Sequence, residues 1–367
     1  MAHIELKNIT KKFGGHTALT GLNLNIADGE FFVLLGETGA GKTTTLRMIA
    51  GLEKPTEGQV FIDGVDVAGW SAAERDVALV LQQYSLYPRY TVRQNLEFPL
   101  RPKIRRLPDA EIKDRVARAA RTLRIEHLLD RKTDRLSGGE MQRVSIGRAI
   151  VRKPRVFLMD EPLSALDAKL REALRTELKN LQMQLGATFL FVTHDQIEAM
   201  SMGDKVGVLN HGRIVQTGTP QEIYNNPRDT YVASFVGSPP MNLQEATVDD
   251  GKIVFSGGQS LPLPGRFKAK VNAGDKVVFG LRPDDLYPVG HGLHSGDAAD
   301  VHEIELPVTV IEPLGNETLV FAEFDRRDWV SRMLNPRPLR AGDRVAMSFD
   351  LSQAHLFSAE TGKSLRA

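Results

Sequence analysis

Three short runs of this chain carry residue types and spacings suited to chemistry on a phosphorylated molecule. The first is Gly36-Glu37-Thr38-Gly39-Ala40-Gly41-Lys42-Thr43, which fits G-x-x-x-x-G-K-[ST] at every fixed position. Glycines let the backbone approach closely and turn its N–H groups toward phosphate oxygens. A helix expected over Thr44 to Leu52 aims the positive end of its dipole at the same place. Lys42 can reach the β- and γ-phosphates of a triphosphate, and the Thr43 hydroxyl can ligate Mg²⁺. Gly36, Gly39, Ala40, Gly41 and Thr44 complete the candidate cradle. The second run is Asp160-Glu161, two acids at the end of the apolar stretch Val156–Met159. Asp160 is placed to hold Mg²⁺ through water, and Glu161 to polarise an attacking water as general base. The third is Leu136-Ser137-Gly138-Gly139-Glu140, where Ser137 is a natural N-cap and Ser-Gly-Gly offers another anion cradle at a helix start.

These residues need elements to place them. Strand-like and helix-like runs alternate up to about Phe235, which argues for an α/β sheet. Strands are expected at Ile4–Ile9, Phe31–Leu35, Val60–Ile62, Val77–Leu81, Val156–Met159, Phe189–Thr193 and Val206–Leu209, the last turning back through Arg213–Gln216 as a hairpin. Leu170, Leu174, Leu178, Leu181 and Leu185 recur at helical spacing as a core-facing stripe. The strands stop between about residues 89 and 150, and Asp109–Leu123 is a basic amphipathic helix, so a helical subdomain is expected to interrupt the sheet. Its basic residues, among them Lys103, Arg105 and Arg106, alternate with acids and lack aromatics, which suits a solvated face rather than a nucleic-acid surface. After Gly237-Ser238-Pro239-Pro240 short β-rich runs follow, read as a separate small barrel, with His291 to Asp300 as a mobile loop.

Composition sets the bounds. The 367 residues suffice for two or three domains, and 41% hydrophobic with 25% charged content is ordinary for a globular protein. A net charge of +1 gives no reason to expect nucleic-acid or membrane-surface binding. Cysteine is absent, which excludes disulfides and suits a reducing compartment. No signal peptide and no bilayer-spanning run is evident, so a membrane role is expected to come through a partner.

Taken together, the phosphate loop, Leu136–Glu140, Asp160-Glu161, Ser164-Ala165-Leu166-Asp167 and Thr193-His194-Asp195 resemble, in order and spacing, the ATP-binding subunits of ABC transporters over roughly residues 1–235. The resemblance implies a P-loop, RecA-like α/β ATPase core with an inserted helical subdomain. It implies two chains bound head to tail, each ATP held by the loop of one and Ser137, Gly138 and Gly139 of the other. It further implies that Phe13 stacks on adenine, Gln82 contacts Mg²⁺ and the attacking water, His194 contacts the γ-phosphate and Asp167 sits at the dimer interface. Read without it, Phe13 also fits core packing, Gln82 a polar strand end and His194 a strand cap, each the weaker reading. Three departures stand out: Glu140 replaces a usual Gln, Glu37-Thr38 a common Pro-Ser, and Phe13 the more frequent Tyr.

The segment Gln82–Pro88 resembles the place where importer ATPases receive their membrane permeases; Tyr84, Leu86 and Tyr87 fit that role and fit packing between subdomains equally. Gly237–Asn242, Gly280–Asp285 and Glu312–Glu317 resemble the OB-like regulatory barrel, here 236–367, of carbohydrate-importer ATPases of the maltose and glycerol-phosphate type. The expected partners are then a second copy, two permease subunits, a solute-binding protein indirectly and a regulator on the barrel, with the protein peripheral on the cytoplasmic face of the inner membrane. An importer for polyamine, iron or sulfate, or a soluble non-transport ATPase of the same superfamily, are the rival readings. A GTPase is disfavoured because no Asn-Lys-x-Asp motif occurs.

Overall fold

A computed structural model describes residues 2–102, 107–291, 300–334 and 338–366. Lys103, Arg105, Arg106 and most of the loop expected from His291 to Asp300 lie outside the described residues. The chain forms two compact units that divide in sequence at Gln221/Glu222.

The first unit opens with an antiparallel hairpin, β1 (Ile4–Phe13) and β2 (His16–Ile26), then β3 (Phe31–Leu35) and α1 (Lys42–Ala50). β4 (Glu57–Ile62), β5 (Val65–Asp66) and β6 (Val77–Val80) follow. The helical insertion holds α2 (Val92–Glu97), α3 (Asp109–Thr122) and α4 (Gly138–Ile150). The chain then returns through β7 (Val156–Asp160), α5 (Ala168–Leu185), β8 (Thr188–Thr193), α6 (Gln196–Met202), β9 (Lys205–Asn210) and β10 (Arg213–Gly218). One sheet runs β10-β9-β3-β8-β7-β6, with every pair parallel except the antiparallel edge strand β10; the other runs β2-β1-β4-β5 and is antiparallel.

Burial explains these patterns. All five residues of β3, β7 and all six of β8 are buried, so continuous apolar runs mark strands covered on both faces. Phe31, Phe157 and Phe189 stack through this layer, with centroid separations of 5.3 and 4.6 Å. Each such ring removed from water contributes about 1.5–3 kcal/mol. β2 was not foreseen, although Leu22, Leu24 and Ile26 alternate with polar residues and point inward, as a one-sided strand requires. The β9–β10 hairpin forms as expected, with His211 and Gly212 both at positive φ in its two-residue turn. The leucine stripe of α5 is buried at Leu174, Leu178 and Leu181, while Leu185 at the helix end is exposed. On α3, Ile112, Val116 and Ala119 are buried, and Arg115 and Arg118 pair with Glu111 and Asp114 one turn back, the solvated face expected of it.

In chain order, α7 (Pro220–Asn225) and α8 (Thr230–Phe235) come next, and the second unit begins within α7. Its strands are β11 (Asn242–Asp249), β12 (Lys252–Phe255), β13 (Ser260–Pro262), β14 (Lys276–Leu281), β15 (Leu286–Pro288), β16 (Val301–Pro313), β17 (Glu317–Phe324), β18 (Arg327–Leu334), β19 (Arg344–Asp350) and β20 (His355–Ser358). They form two five-stranded antiparallel sheets, β13-β12-β11-β14-β20 and β15-β19-β16-β17-β18. Phe255 and Phe279 from one sheet meet Phe324, Trp329 and Phe349 from the other in a single apolar core. The buried Trp329 indole N–H donates to Gln244 Oε1 at 2.8 Å, so its one polar group is satisfied.

Candidate nucleotide-hydrolysing site

The site lies where the parallel strands end, as open α/β sheets place their ligands. The turn from β3 to α1 is the glycine loop. Gly39 and Gly41 take φ of +84° and +110°, a region open to glycine. A Cβ on Gly41 would meet Leu19 Cδ2 at 2.6 Å, and one on Gly36 would meet the Leu209 carbonyl oxygen at 2.4 Å. The loop is thus pinned between β2 and β9, and only glycine fits at either point. Gly41 is also the N-cap of α1 and offers no side chain there, which leaves the helix's first N–H groups directed at the loop.

Lys42 is only 5% exposed. Its ammonium donates to the carbonyls of Gly36 and Glu37 at 2.9 and 3.0 Å and pairs with Glu161 Oε1 at 3.2 Å. Glu161 follows the last residue of β7, and its other oxygen lies 2.9 Å from His194 Nδ1, just past β8. Two sequence candidates from other strand ends, Lys42 and His194, therefore converge on the carboxylate of a third. Glu161 sits at φ +43°, costly for a residue with a Cβ, and its backbone is held by Glu161 N–H to Val192 O at 3.0 Å.

Asp160 is buried and accepts from the Thr43 hydroxyl at 2.9 Å. Burial pushes its carboxyl up; the Thr43 bond pulls it back, and the Glu161 charge adds to the rise. A cation beside these two oxygens would relieve that cost. Among the described residues no three His, Cys, Asp or Glu side chains gather as a metal cluster. The donor set nevertheless fits Mg²⁺, which is commonly held by a carboxylate, a hydroxyl and the substrate's own phosphates.

Phe13, Gly39, Gly41, Lys42, Thr43, Thr44, Gln82, Glu161 and His194 line one cavity of about 540 Å³. Phe13 is 44% exposed at its rim, with the Lys11 ammonium 4.6 Å from its ring centroid, so it is not a core residue. Gln82 faces the cavity and its amide donates to Ser164 Oγ at 3.2 Å. Ala40 is buried beneath the loop.

Ser137, Gly138, Gly139 and Asp167 do not line this cavity. Ser137 caps α4 as expected: its hydroxyl accepts from Glu140 N–H, and Glu140 Oε2 takes the Ser137 N–H at 2.7 Å, a reciprocal capping box. Glu140 also lies 3.6 Å from Arg131. Its backbone bond to Ser137, outweighing burial, holds its carboxyl below the usual range, so it stays ionised and folded back on its own helix. A Cβ on Gly139 would meet Leu170 Cδ2 of α5 at 2.1 Å, so the Leu170 side chain packs over the second glycine. Asp167 caps α5 through Leu170 N–H at 3.0 Å.

Residue reasoning missed two side chains that tie these loops together. Ser164 receives Gln82 and donates to the Glu161 carbonyl at 2.9 Å. Arg171 donates to Leu166 O and to Asp195 Oδ2, both at 3.1 Å, joining the Ser164–Asp167 loop to the loop that bears His194. Ser164 stands in the run Ser164–Asp167, of which only Asp167 carried an expected role, and Arg171 belongs to none of the motifs.

A parallel sheet with a phosphate loop at its carboxyl edge, a lysine and a carboxylate beside it, and a helical insertion carrying Ser-Gly-Gly define a P-loop ATPase of the ABC type. The ABC transporter family matches residues 19–164, the MalK OB fold domain 237–286 and the TOBE domain 279–357. Over its full length the chain is 45% identical to the trehalose/maltose import ATP-binding protein of Thermococcus litoralis and 44% identical to the sulfoquinovosyl glycerol transport ATP-binding protein of Agrobacterium fabrum, spanning all of each. It is 41% identical to the oligosaccharides import ATP-binding protein of Bacillus subtilis, again over both full lengths. Among solved structures, cbiO1 from Clostridium perfringens matches 60% of this chain and 89% of its own at TM-score 0.57 and 30% identity. A dimeric ATP-binding cassette bound to ADP and Pi matches 59% and 98% at 0.53 and 35%. The chain belongs to the ATP-binding proteins of ABC transporters, and it binds and hydrolyses ATP.

Proposed function

We propose that this chain powers an importer for a carbohydrate or related solute: a sugar, polyol, glycerophosphate or sulfosugar glycoside. Full-length identity to relatives named for such solutes, regulatory domains included, supports this reading over polyamine, iron or sulfate import. Residues 1–235 form the nucleotide-binding domain, with its helical subdomain at about 89–150, and 236–367 the OB-like regulatory and dimerisation domain. The protein acts as a homodimer on the cytoplasmic face of the membrane, held there by two permease subunits that dock near Gln82–Pro88. A solute-binding protein signals to it indirectly, and the second domain is open to a regulator. Tyr87, Tyr90 and Phe98 form an aromatic cluster, Tyr90 and Phe98 more than a third exposed, which suits that docking surface.

The observation that carries the mechanism is the cavity itself. It gathers the phosphate loop, Gln82, Glu161 and His194, while Ser137 and Asp167 lie outside its lining. Two copies turned head to tail complete each site. Phe13 stacks on the adenine. Gly36, Gly39, Ala40, Gly41 and Thr44 contribute the backbone cradle, and Lys42 binds the terminal phosphates. Thr43, Gln82 and Asp160 hold Mg²⁺, which when bound neutralises charge building on the phosphoryl oxygens. Glu161 takes a proton from the attacking water, aimed at the γ-phosphorus. His194, Lys42 and the partner's Ser137, Gly138 and Gly139 stabilise the spreading negative charge. Loss of the bridging γ-phosphate removes the contacts that favour the closed pair, and its opening drives the permeases. The test of the solute class is ATPase stimulation of the assembled complex by binding proteins loaded with candidate solutes. Stimulation by a sugar or glycerophosphate arm supports the reading, and stimulation confined to polyamine, iron or sulfate overturns it.

A further inference from the structure

We infer that Ser164 is a positioning residue for ATP hydrolysis: its hydroxyl ties the Gln82 amide to the main chain that carries Glu161. The inference rests on the proposed general-base role of Glu161. The chain of bonds has one direction. Gln82 Nε2 donates to Ser164 Oγ at 3.2 Å, and Ser164 Oγ donates to the Glu161 carbonyl oxygen at 2.9 Å. The Ser164 N–H donates to the same oxygen at 3.3 Å. A hydroxyl can receive one bond and give another at once, which alanine cannot.

What that hydroxyl holds matters. Glu161 stands at φ +43°, a conformation that persists only where surrounding bonds hold it. Its carboxylate is gripped from the other side by Lys42 and His194. Ser164 therefore sets the backbone from which the carboxylate is aimed, and Gln82 feeds into that backbone from the head of the Gln82–Pro88 segment. A displacement of that segment reaches Glu161 through one oxygen atom. Ser164 itself does not line the cavity, so loss of its hydroxyl should leave nucleotide binding alone.

Steady-state ATPase measurements on the full-length protein test this. Ser164→Ala is expected to lower kcat about tenfold, the scale of one lost hydrogen bond at a positioned group, with KM for ATP within about twofold of the parent. Ser164→Thr keeps both bonds and is expected within about threefold of the parent. Gln82→Ala combined with Ser164→Ala is expected to lose less than the product of the two single losses, because the two side chains share one chain of bonds. A parental kcat in Ser164→Ala, a matching rise in KM, a threonine variant as slow as alanine, or additive losses would each overturn the role. If the alanine variant folds poorly, Ser164→Cys, whose thiol makes only weak hydrogen bonds, is expected to be slower than Ser164→Thr, and equal rates in the two overturn the role. A normal Ser164→Ala beside an inactive Glu161→Gln defeats only the positioning role, whereas an active Glu161→Gln defeats the general-base reading beneath it.

Discussion

At the scale of single residues, the candidate groups were legible because phosphate chemistry dictates both type and spacing. Lys42, Thr43, Asp160, Glu161 and His194 all stand where the motifs put them, on one cavity or bonded to its wall. Their support was not legible. Glu140 departs from a family preference, yet its carboxylate serves the capping box with Ser137 and lies near Arg131, a partner nine residues back that no local pattern announces. Glu140→Gln keeps that box, since a Gln side chain can still accept from the Ser137 N–H. The variant is expected to lose no more than about 0.5 kcal/mol in denaturant unfolding and to keep ATPase activity within about threefold. A loss above about 2 kcal/mol would show that the charge itself, not the cap, is required.

At the scale of elements, the runs buried on both faces were readable because apolarity is unbroken along them. Strands with one wet face were harder. β2, β11 and β18 carry Asn, Thr, Glu, Arg and Asp on their outer side, and that dilutes the signal even where alternation is present. The approach of α4 to α5 was hidden altogether, since it appears in sequence only as Gly139. Gly139→Ala is expected to cost no more than about 1 kcal/mol, because its methyl group would sit 2.1 Å from Leu170 Cδ2, the end of a partly exposed side chain that must turn aside. Chemical denaturation reads this directly, and a paired Leu170→Ala should restore much of the loss.

At the scale of the whole molecule, the change of texture near residue 237 marks the start of the β-rich part, while the compact units divide earlier, at Gln221/Glu222. That offset was not legible because α7 and α8 look like any helices that end an α/β domain. The second unit also hides a titration. Burial, then the Asp350 and Asp284 carboxylates, push Asp285 up to about 7 from an ordinary 3.8, against the pull of Arg282 and Arg366. The folded chain thus keeps a proton that the unfolded chain releases. Asp285 stabilises fully below about pH 4, and that contribution is lost as pH rises toward 7. Asp285→Asn should therefore raise the melting temperature at pH 8 relative to the parent and flatten its fall between pH 4 and 7; an unchanged profile would contradict the burial. Asp167→Ala is expected to cost about 1 kcal/mol through loss of the α5 cap. Any larger defect confined to ATPase activity would then report the proposed dimer interface. The central claim is that ATP is hydrolysed by Glu161 in a site shared between two copies. It is tested most directly by ATP retained through gel filtration by Glu161→Gln, with and without Ser137→Ala. The account predicts turnover about 10²- to 10⁴-fold below the parent, with ATP held by Glu161→Gln and released once Ser137 is also changed. Parental turnover, or retention indifferent to Ser137, would contradict it.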